Sequence, residues 1–191
     1  PYGQLTLMAH HTKKIKLGTG VTHPVTRATA VTASAMASLQ EESDGRAICG
    51  IGRGDSSAAH IGKRQATTKE LRDSIQTIQS YFRGESIDVG TMQSPIRWID
   101  PDIIPPVPID VACTGPKTIQ MACEVSERVS FAVGSSYDRV SWAMDTALEH
   151  IQKIGRRRDE IRIGAYINLI CDPDEKRAIG CLLYTSDAAD D

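Results

Sequence analysis

The stretch LGTGVTHPVTRATAVTASAMASLQEESDGRAICGIGRGDSS, residues 17–57, decides the fold. Residues 14–21 (KIKLGTGV) form a short strand-like segment that ends in glycines. A run rich in Ala, Thr and Ser follows over 26–40. Its Val31, Ala35 and Leu39 fall at i, i+4 and i+8 and predict one face of a helix. Residues 46–52 (RAICGIG) read as a second buried strand, again closing on glycines. Strand, helix, strand in this order is a parallel βαβ crossover.

Working outward, the alternation persists. Residues 5–11 read as the end of a helix. Leu71, Ile75, Ile78 and Phe82 make a helical stripe over 68–82, with Thr67 and Glu70 as a capping box and Gly84 as the stop. Residues 85–106 are irregular and punctuated by proline. Residues 107–113 are a third strand, and Gly115-Pro116 opens a helix with proline at its first position. A fourth strand spans 128–133, and a helix spans 136–155 with Val140, Ala143, Met144, Ala147, Ile151 and Ile154 along one side. Residues 161–170 are a fifth strand, and Asp172 caps a further helix. Five strands alternating with helices fit an open doubly wound sheet or part of a (β/α)₈ TIM barrel, which takes roughly 250 residues when whole.

The 191 residues carry a net charge of −2, so there is no basic footprint for nucleic acid. No apolar run approaches the ~20 residues that a membrane span requires. The five cysteines are odd in number and scattered, without metal-ligand spacing, so neither a metal nor a disulfide framework is expected and a reducing cytoplasm fits. The string CLLYTSDAADD, residues 181–191, breaks the preceding helical pattern and resembles the translation of a sequencing-library adapter. Residues 1–180 are therefore expected to be the domain and 181–191 a non-native tail.

Polar and glycine residues gather where the strands end: Gly18-Thr19-Gly20, then Gly52-Arg53-Gly54-Asp55-Ser56, then Thr114-Gly115, then Gly134-Ser135-Ser136. In either parallel architecture these ends share one face, where ligands bind. Glycine admits close backbone approach, and helix N-termini favour anions, so the set suits a phosphate-bearing ligand. Each cluster alone is more often a turn, and it is their succession that points to a site. Gly50-Ile-Gly-Arg-Gly54 lacks the sixth-position glycine and the later acidic residue of a dinucleotide fingerprint, which sets a Rossmann reading aside. Asp55 is a candidate acid or a simple helix cap. Arg53 is a candidate anion contact or a partner for Asp55.

Residues 17–57, together with VPIDVACTGPKTIQMACEVSERVSFAVG over 107–134, resemble the luciferase-like superfamily of flavin and deazaflavin oxidoreductases. Within it they are closest to the branch of methylenetetrahydromethanopterin reductases and other coenzyme F420 enzymes. The resemblance implies a (β/α)₈ barrel of which the chain holds strands three to seven, truncated at both ends. It implies a non-proline cis peptide at Gly20–Val21 behind the cofactor ring and a catalytic role for Asp55. By position it implies cofactor contacts from Gly52, Arg53 and Gly54, from Ala112, Cys113, Thr114 and Gly115, and from Gly134 and Ser135. The cofactor implied is F420, with FMN as the alternative, and the substrate is a small organic molecule. The implied activity is hydride transfer, with an FMNH₂-dependent monooxygenase as the alternative. A homo-oligomer is expected of the complete barrel, and the fragment itself is expected to be inactive. A phosphate-binding barrel lyase or isomerase is the reading from another class, but no lysine lies at the strand ends to serve it. His23 stands where the branch commonly has Asn and is assigned a local hydrogen bond. The loop Gly134-Ser-Ser-Tyr-Asp138 lacks the lysine of the superfamily's sugar-phosphate dehydrogenases.

Overall fold

The computed structural model describes residues 2–181. Apart from Cys181, the tail set apart in the sequence lies outside the described residues. Helix α1 (Tyr2–His11) leads into β1 (Leu17–Gly18), then α2 (Thr29–Glu42), β2 (Ala47–Ile51), the single turn α3 (Ser56–Ala59) and α4 (Thr68–Phe82). A hairpin of β3 (Ile87–Asp88) and β4 (Gln93–Ser94) precedes β5 (Ile109–Cys113), α5 (Pro116–Val125), β6 (Arg128–Phe131), α6 (Tyr137–Lys153) and β7 (Arg162–Ala165). Residues 175–181 are helical.

The main sheet has the order β1-β2-β5-β6-β7, and every pairing in it is parallel. Strand neighbours follow chain order, with a helix between each pair, as in the wall of a (β/α)₈ barrel. The fold is that arc of a barrel. Ile109, Val111 and Cys113 of β5 point to the helices and are fully buried, as are Cys49 and Val129 on its neighbours. They meet Leu71, Ile75 and Ile78 of α4 and Ile119 and Ala122 of α5. Successive side chains on a strand alternate faces, so Asp110 and Ala112 turn to the barrel interior.

The capping box at Thr67–Glu70 is present with both of its hydrogen bonds, and the stripe of α4 is buried as its spacing predicts. Proline occupies the first turn of α5. Several expectations need correction. The buried residues of α2 are Thr32, Ala33, Met36, Ala37, Leu39 and Gln40, so Leu39 is buried as its spacing predicts, whereas Ala35 is partly buried and Val31 is 54 % exposed. In a helix of small residues, packed beside both α1 and α4, methyl spacing marks the face weakly. The first strand shrinks to Leu17–Gly18 because the chain bulges over 19–21 before Thr22 bridges to Ile51. The fifth strand stops at Ala165, because its neighbour β6 stops at Phe131 and the last ladder bond is Tyr166 N to Phe131 O. The segment 85–106 contains a hairpin, and α3 is an additional turn of helix. Asp174, not Asp172, caps the last helix, its Oδ1 accepting from the amides of Lys176 and Arg177.

Candidate functional site

The site is built at the carboxyl ends of β1, β2 and β5. After β1 the Thr19 hydroxyl donates to the Gly50 carbonyl at 2.6 Å, and the Gly20–Val21 peptide is cis. Thr22 then rejoins β2, its amide donating to Gly50 O and its carbonyl accepting from Gly52 N. The bulge passes so close to β2 that a Cβ on Gly50 would lie 1.9 Å from the Thr19 carbonyl oxygen. Only glycine permits this approach.

Beyond β2 the chain turns through Gly54 at φ +71°, and Asp55 caps α3 by accepting from the Ser56 amide at 2.7 Å. A Cβ on Gly54 would meet the His23 ring at 2.5 Å, so the loop fits against the imidazole. His23 is buried. Its Nε2 lies 2.8 Å from the Ser57 hydroxyl, and its Nδ1 has no partner among the described residues. Burial, and next the nearby Arg27, pushes the ring's pKa below its ordinary 6.5, while Asp55 opposes the shift. The imidazole is therefore neutral at neutral pH. Arg53 donates from Nε to Ala66 O at 2.6 Å, and the Ala66 amide donates back to Arg53 O. These bonds pin the guanidinium at the rim, with no carboxylate on it among the described residues.

Gly20, Val21, His23, Gly52, Arg53, Gly54, Asp55, Ala112 and Thr114 line one cavity of about 360 Å³, with Ser56, Ser57, Gln65, Thr118 and Ala132. Val21, Asp55 and Thr114, from three successive strand ends, thus share one mouth. Gly115 lines an adjoining cavity with Arg53 and Thr114. Cys113 lines neither. Its side chain is fully buried in the core, where burial pushes the thiol far above its usual range. Gly134 and Ser135 are exposed on the loop after β6 and line neither cavity. Below Ala112, the Asp110 carboxylate accepts from Ser130 Oγ at 3.0 Å, with Arg128 Nε 3.6 Å away.

Sequence reasoning passed over Ser57, Gln65 and Thr118 as site residues. Thr118 carried the one readable signal: a hydroxyl residue on the apolar face of α5, beside Ile119, Met121 and Ala122. Ser57 and Gln65 sit in loop-like sequence with nothing to mark them. Among the described residues, no three His, Cys, Asp or Glu side chains gather to hold a metal, and no helix is long and apolar enough to cross a membrane.

Comparison with known proteins now bears on this geometry. The chain is 35 % identical to a 5,10-methylenetetrahydromethanopterin reductase of Methanolobus tindarius, over 93 % of this chain and 55 % of that protein. It is 31 % identical to the Archaeoglobus fulgidus enzyme of that name, over 93 % of this chain and 54 % of the relative. The chain thus spans about half the length of the curated relatives it matches. Among solved structures, the coenzyme F420 dependent tetrahydromethanopterin reductase of Methanopyrus kandleri superposes with a TM-score of 0.78 at 30 % identity, over 93 % of this chain and 57 % of that one. The family described as luciferase-like monooxygenase matches residues 1–181, and with the parallel arc and the cis bulge already in place, the chain belongs to that family.

Proposed function

We propose that the protein carrying this chain is a coenzyme F420-dependent oxidoreductase that transfers hydride between the deazaflavin and a small organic substrate. One observation carries the reading: Val21 on the cis bulge, Asp55 and Thr114 face a single cavity. The names of the relatives support F420 as cofactor and a methylene-tetrahydromethanopterin-like compound as substrate.

The residues present fit such a cofactor. A Cβ on Gly52 would lie 3.1 Å from Val21 and 3.7 Å from Ala112, so the bare glycine leaves a low apolar floor of Val21, Ala112 and Ala132 for a flat ring. The polar end of the mouth offers Arg53 and the hydroxyls of Thr114 and Thr118 to a phosphate. Gly115 extends that end into the adjoining cavity, and Cys113 packs behind it. When bound, the cofactor supplies the hydride; the chain supplies position and electrostatics. Val21 would fix the depth of the ring. Asp55, held at Oδ1 by the Ser56 amide, keeps Oδ2 for a proton or for charge balance beside the substrate. The family match to residues 1–181 supports residues 1–180 as part of one barrel domain.

The test uses the full-length protein that contains this sequence. Anaerobic loss of F420 absorbance with methylene-tetrahydromethanopterin is expected, and Asp55→Asn is expected to lower kcat about 10²-fold with F420 affinity retained. Oxygen-dependent turnover of FMNH₂, with none of F420, would overturn the proposal.

A further inference from the structure

Two residues of the mouth have no part in the function proposed above. His23 is 6 % exposed and follows directly on the Thr22 bridge. Ser57 is an exposed residue of the single-turn α3, two positions beyond Asp55. Both line the main cavity. His23 Nε2 lies 2.8 Å from Ser57 Oγ. One hydrogen stands between them at that distance, and either atom is able to supply it.

The other ring nitrogen decides which atom does. Nδ1 is buried and has no hydrogen-bond partner among the described residues. Gly54 covers that edge of the ring, where an added Cβ would come within 2.6 Å of Nδ1. A neutral imidazole carries a single N–H. Placed on Nδ1, that hydrogen would be a buried donor with nothing to accept it, and orphaned buried N–H groups are rare and costly. Placed on Nε2, it leaves only a lone pair against Gly54 and makes the bond to Ser57 with the imidazole as donor. Ser57 Oγ then accepts from His23 and keeps its own hydrogen for another acceptor. Oγ has no other partner among the described residues, and the residue opens on the cavity.

We propose that the Ser57 hydroxyl is a specificity-determining donor to a carbonyl oxygen or ring nitrogen of the substrate, and that His23 is the positioning residue that makes it a donor. The inference rests on the function proposed above and deepens it. The floor of Val21, Gly52, Ala112 and Ala132 belongs to the flat ring of the cofactor, whereas Ser57 belongs to the turn that carries Asp55, the residue placed beside the substrate. Asp55 Oδ1 is held by the Ser56 amide, so this turn offers one hydroxyl donor and one carboxylate oxygen. The pair suits the polar edge of an amide-like heterocycle, where an acceptor atom stands next to an N–H. A simple alcohol or ketone presents only one polar atom to it.

The experiment makes two measurements on the full-length protein. With ¹⁵N-labelled histidine, the ring shifts of His23, assigned by their loss in His23→Gln, are expected to show the hydrogen on Nε2 and a bare Nδ1 at neutral pH. Hydrogen on Nδ1 overturns the inference, because Ser57 would then donate to the ring and have nothing left to give a ligand. In anaerobic F420 kinetics with methylene-tetrahydromethanopterin, Ser57→Ala is expected to raise KM for the substrate about tenfold, with a smaller fall in kcat and F420 affinity retained. His23→Met is expected to raise KM as S57A does. H23Q, whose amide N–H stands in for Nε2–H, is expected to recover most of the wild-type KM. S57A, at an exposed position, and the wild-type ring shifts decide the matter even where H23M fails to fold. An unchanged KM in S57A overturns the inference while the proposed function stands. Weaker F420 binding with unchanged KM assigns Ser57 to the cofactor and also overturns it, and H23Q no better than a folded H23M removes the role of His23. A wild type that turns over no F420 removes the proposed function and takes this inference with it.

Discussion

Arg46 is 8 % exposed and gathers the lower end of the sheet around one guanidinium. Nε donates to Ser43 O at 2.7 Å, one terminal nitrogen to Ile15 O and Thr12 Oγ1, and the other to Ala9 O. Ala9 belongs to the last turns of α1, so the arginine satisfies a helix-end carbonyl that α1 itself cannot. Arg46→Met would leave these buried carbonyls without donors. We expect a cost of about 3 kcal/mol, read as a lower urea midpoint at unchanged slope. Lys at this position, with one nitrogen, is expected to recover less than half of the loss. His23 supports a second prediction. Its pKa is lower in the fold than the ordinary 6.5, so below that pH the unfolded chain binds the proton more readily than the folded one. Stability contributed by the neutral ring is complete above about 6.5 and falls as pH drops towards the folded value. His23→Asn should flatten that decline in stability measured from pH 7 to 5; parallel curves for both proteins would refute the assignment. Arg46 and His23 also show what sequence conceals. The first looked like the start of a strand, and the second like a polar residue before proline. Their importance comes from partners more than 30 positions away, as in Arg46–Ala9 and His23–Ser57.

At the level of elements, periodicity was legible where side chains are large. The four apolar residues of α4 are all buried, and the box at its start closes as its spacing requires. In α2, where alanine, serine and threonine alternate, Leu39 is buried as predicted but Val31 is not, because small side chains bury similar areas in either orientation. Strand ends were misread for a different reason: a strand persists only as far as its neighbour supplies hydrogen bonds, and no single segment encodes that. The helices are joined on the outside by Glu124 of α5, which pairs with Arg72 of α4 and with His150 of α6, the latter at 2.8 Å. Burial alone would raise the Glu124 pKa, but hydrogen bonds from Arg72 and His150 outweigh it and leave the pKa lowered. The stability contributed is thus present above the ordinary carboxylate range and lost as pH falls through it. Glu124→Gln is expected to cost about 1 kcal/mol at pH 7 and less at pH 3, since these partners are only partly shielded. Thermal midpoints of both proteins at the two pH values check it. Cofactor affinity should not change, because Glu124 lines neither cavity of the mouth.

Over the whole molecule, the sheet order β1-β2-β5-β6-β7 puts two kinds of strand in one arc. β5 has a parallel neighbour on each side, and its outward face is sealed by α4 and α5. β1 and β7 each have one neighbour in the sheet, and beyond β7 the chain shows Ile167 and Leu169 at 58 % and 84 % exposure. The family signature is densest at β1 and β2, where the cis bulge needs its glycines, so the site was easier to read than the rim strand beside it. Local opening requires breaking only the hydrogen bonds and contacts that a segment has, so protection should follow this asymmetry. Amide exchange on the 191-residue chain is expected to be slowest at Val111 and Ala112 of β5 and at least about 10²-fold faster at Ile163 and Gly164 of β7. If a second segment pairs with the free edge of β7 in the full-length protein, exchange at Ile163 and Gly164 should slow towards the β5 rate, while β5 itself changes little. Uniform protection across β5 and β7 in the 191-residue chain would mean that the edge is already covered, contrary to the open arc.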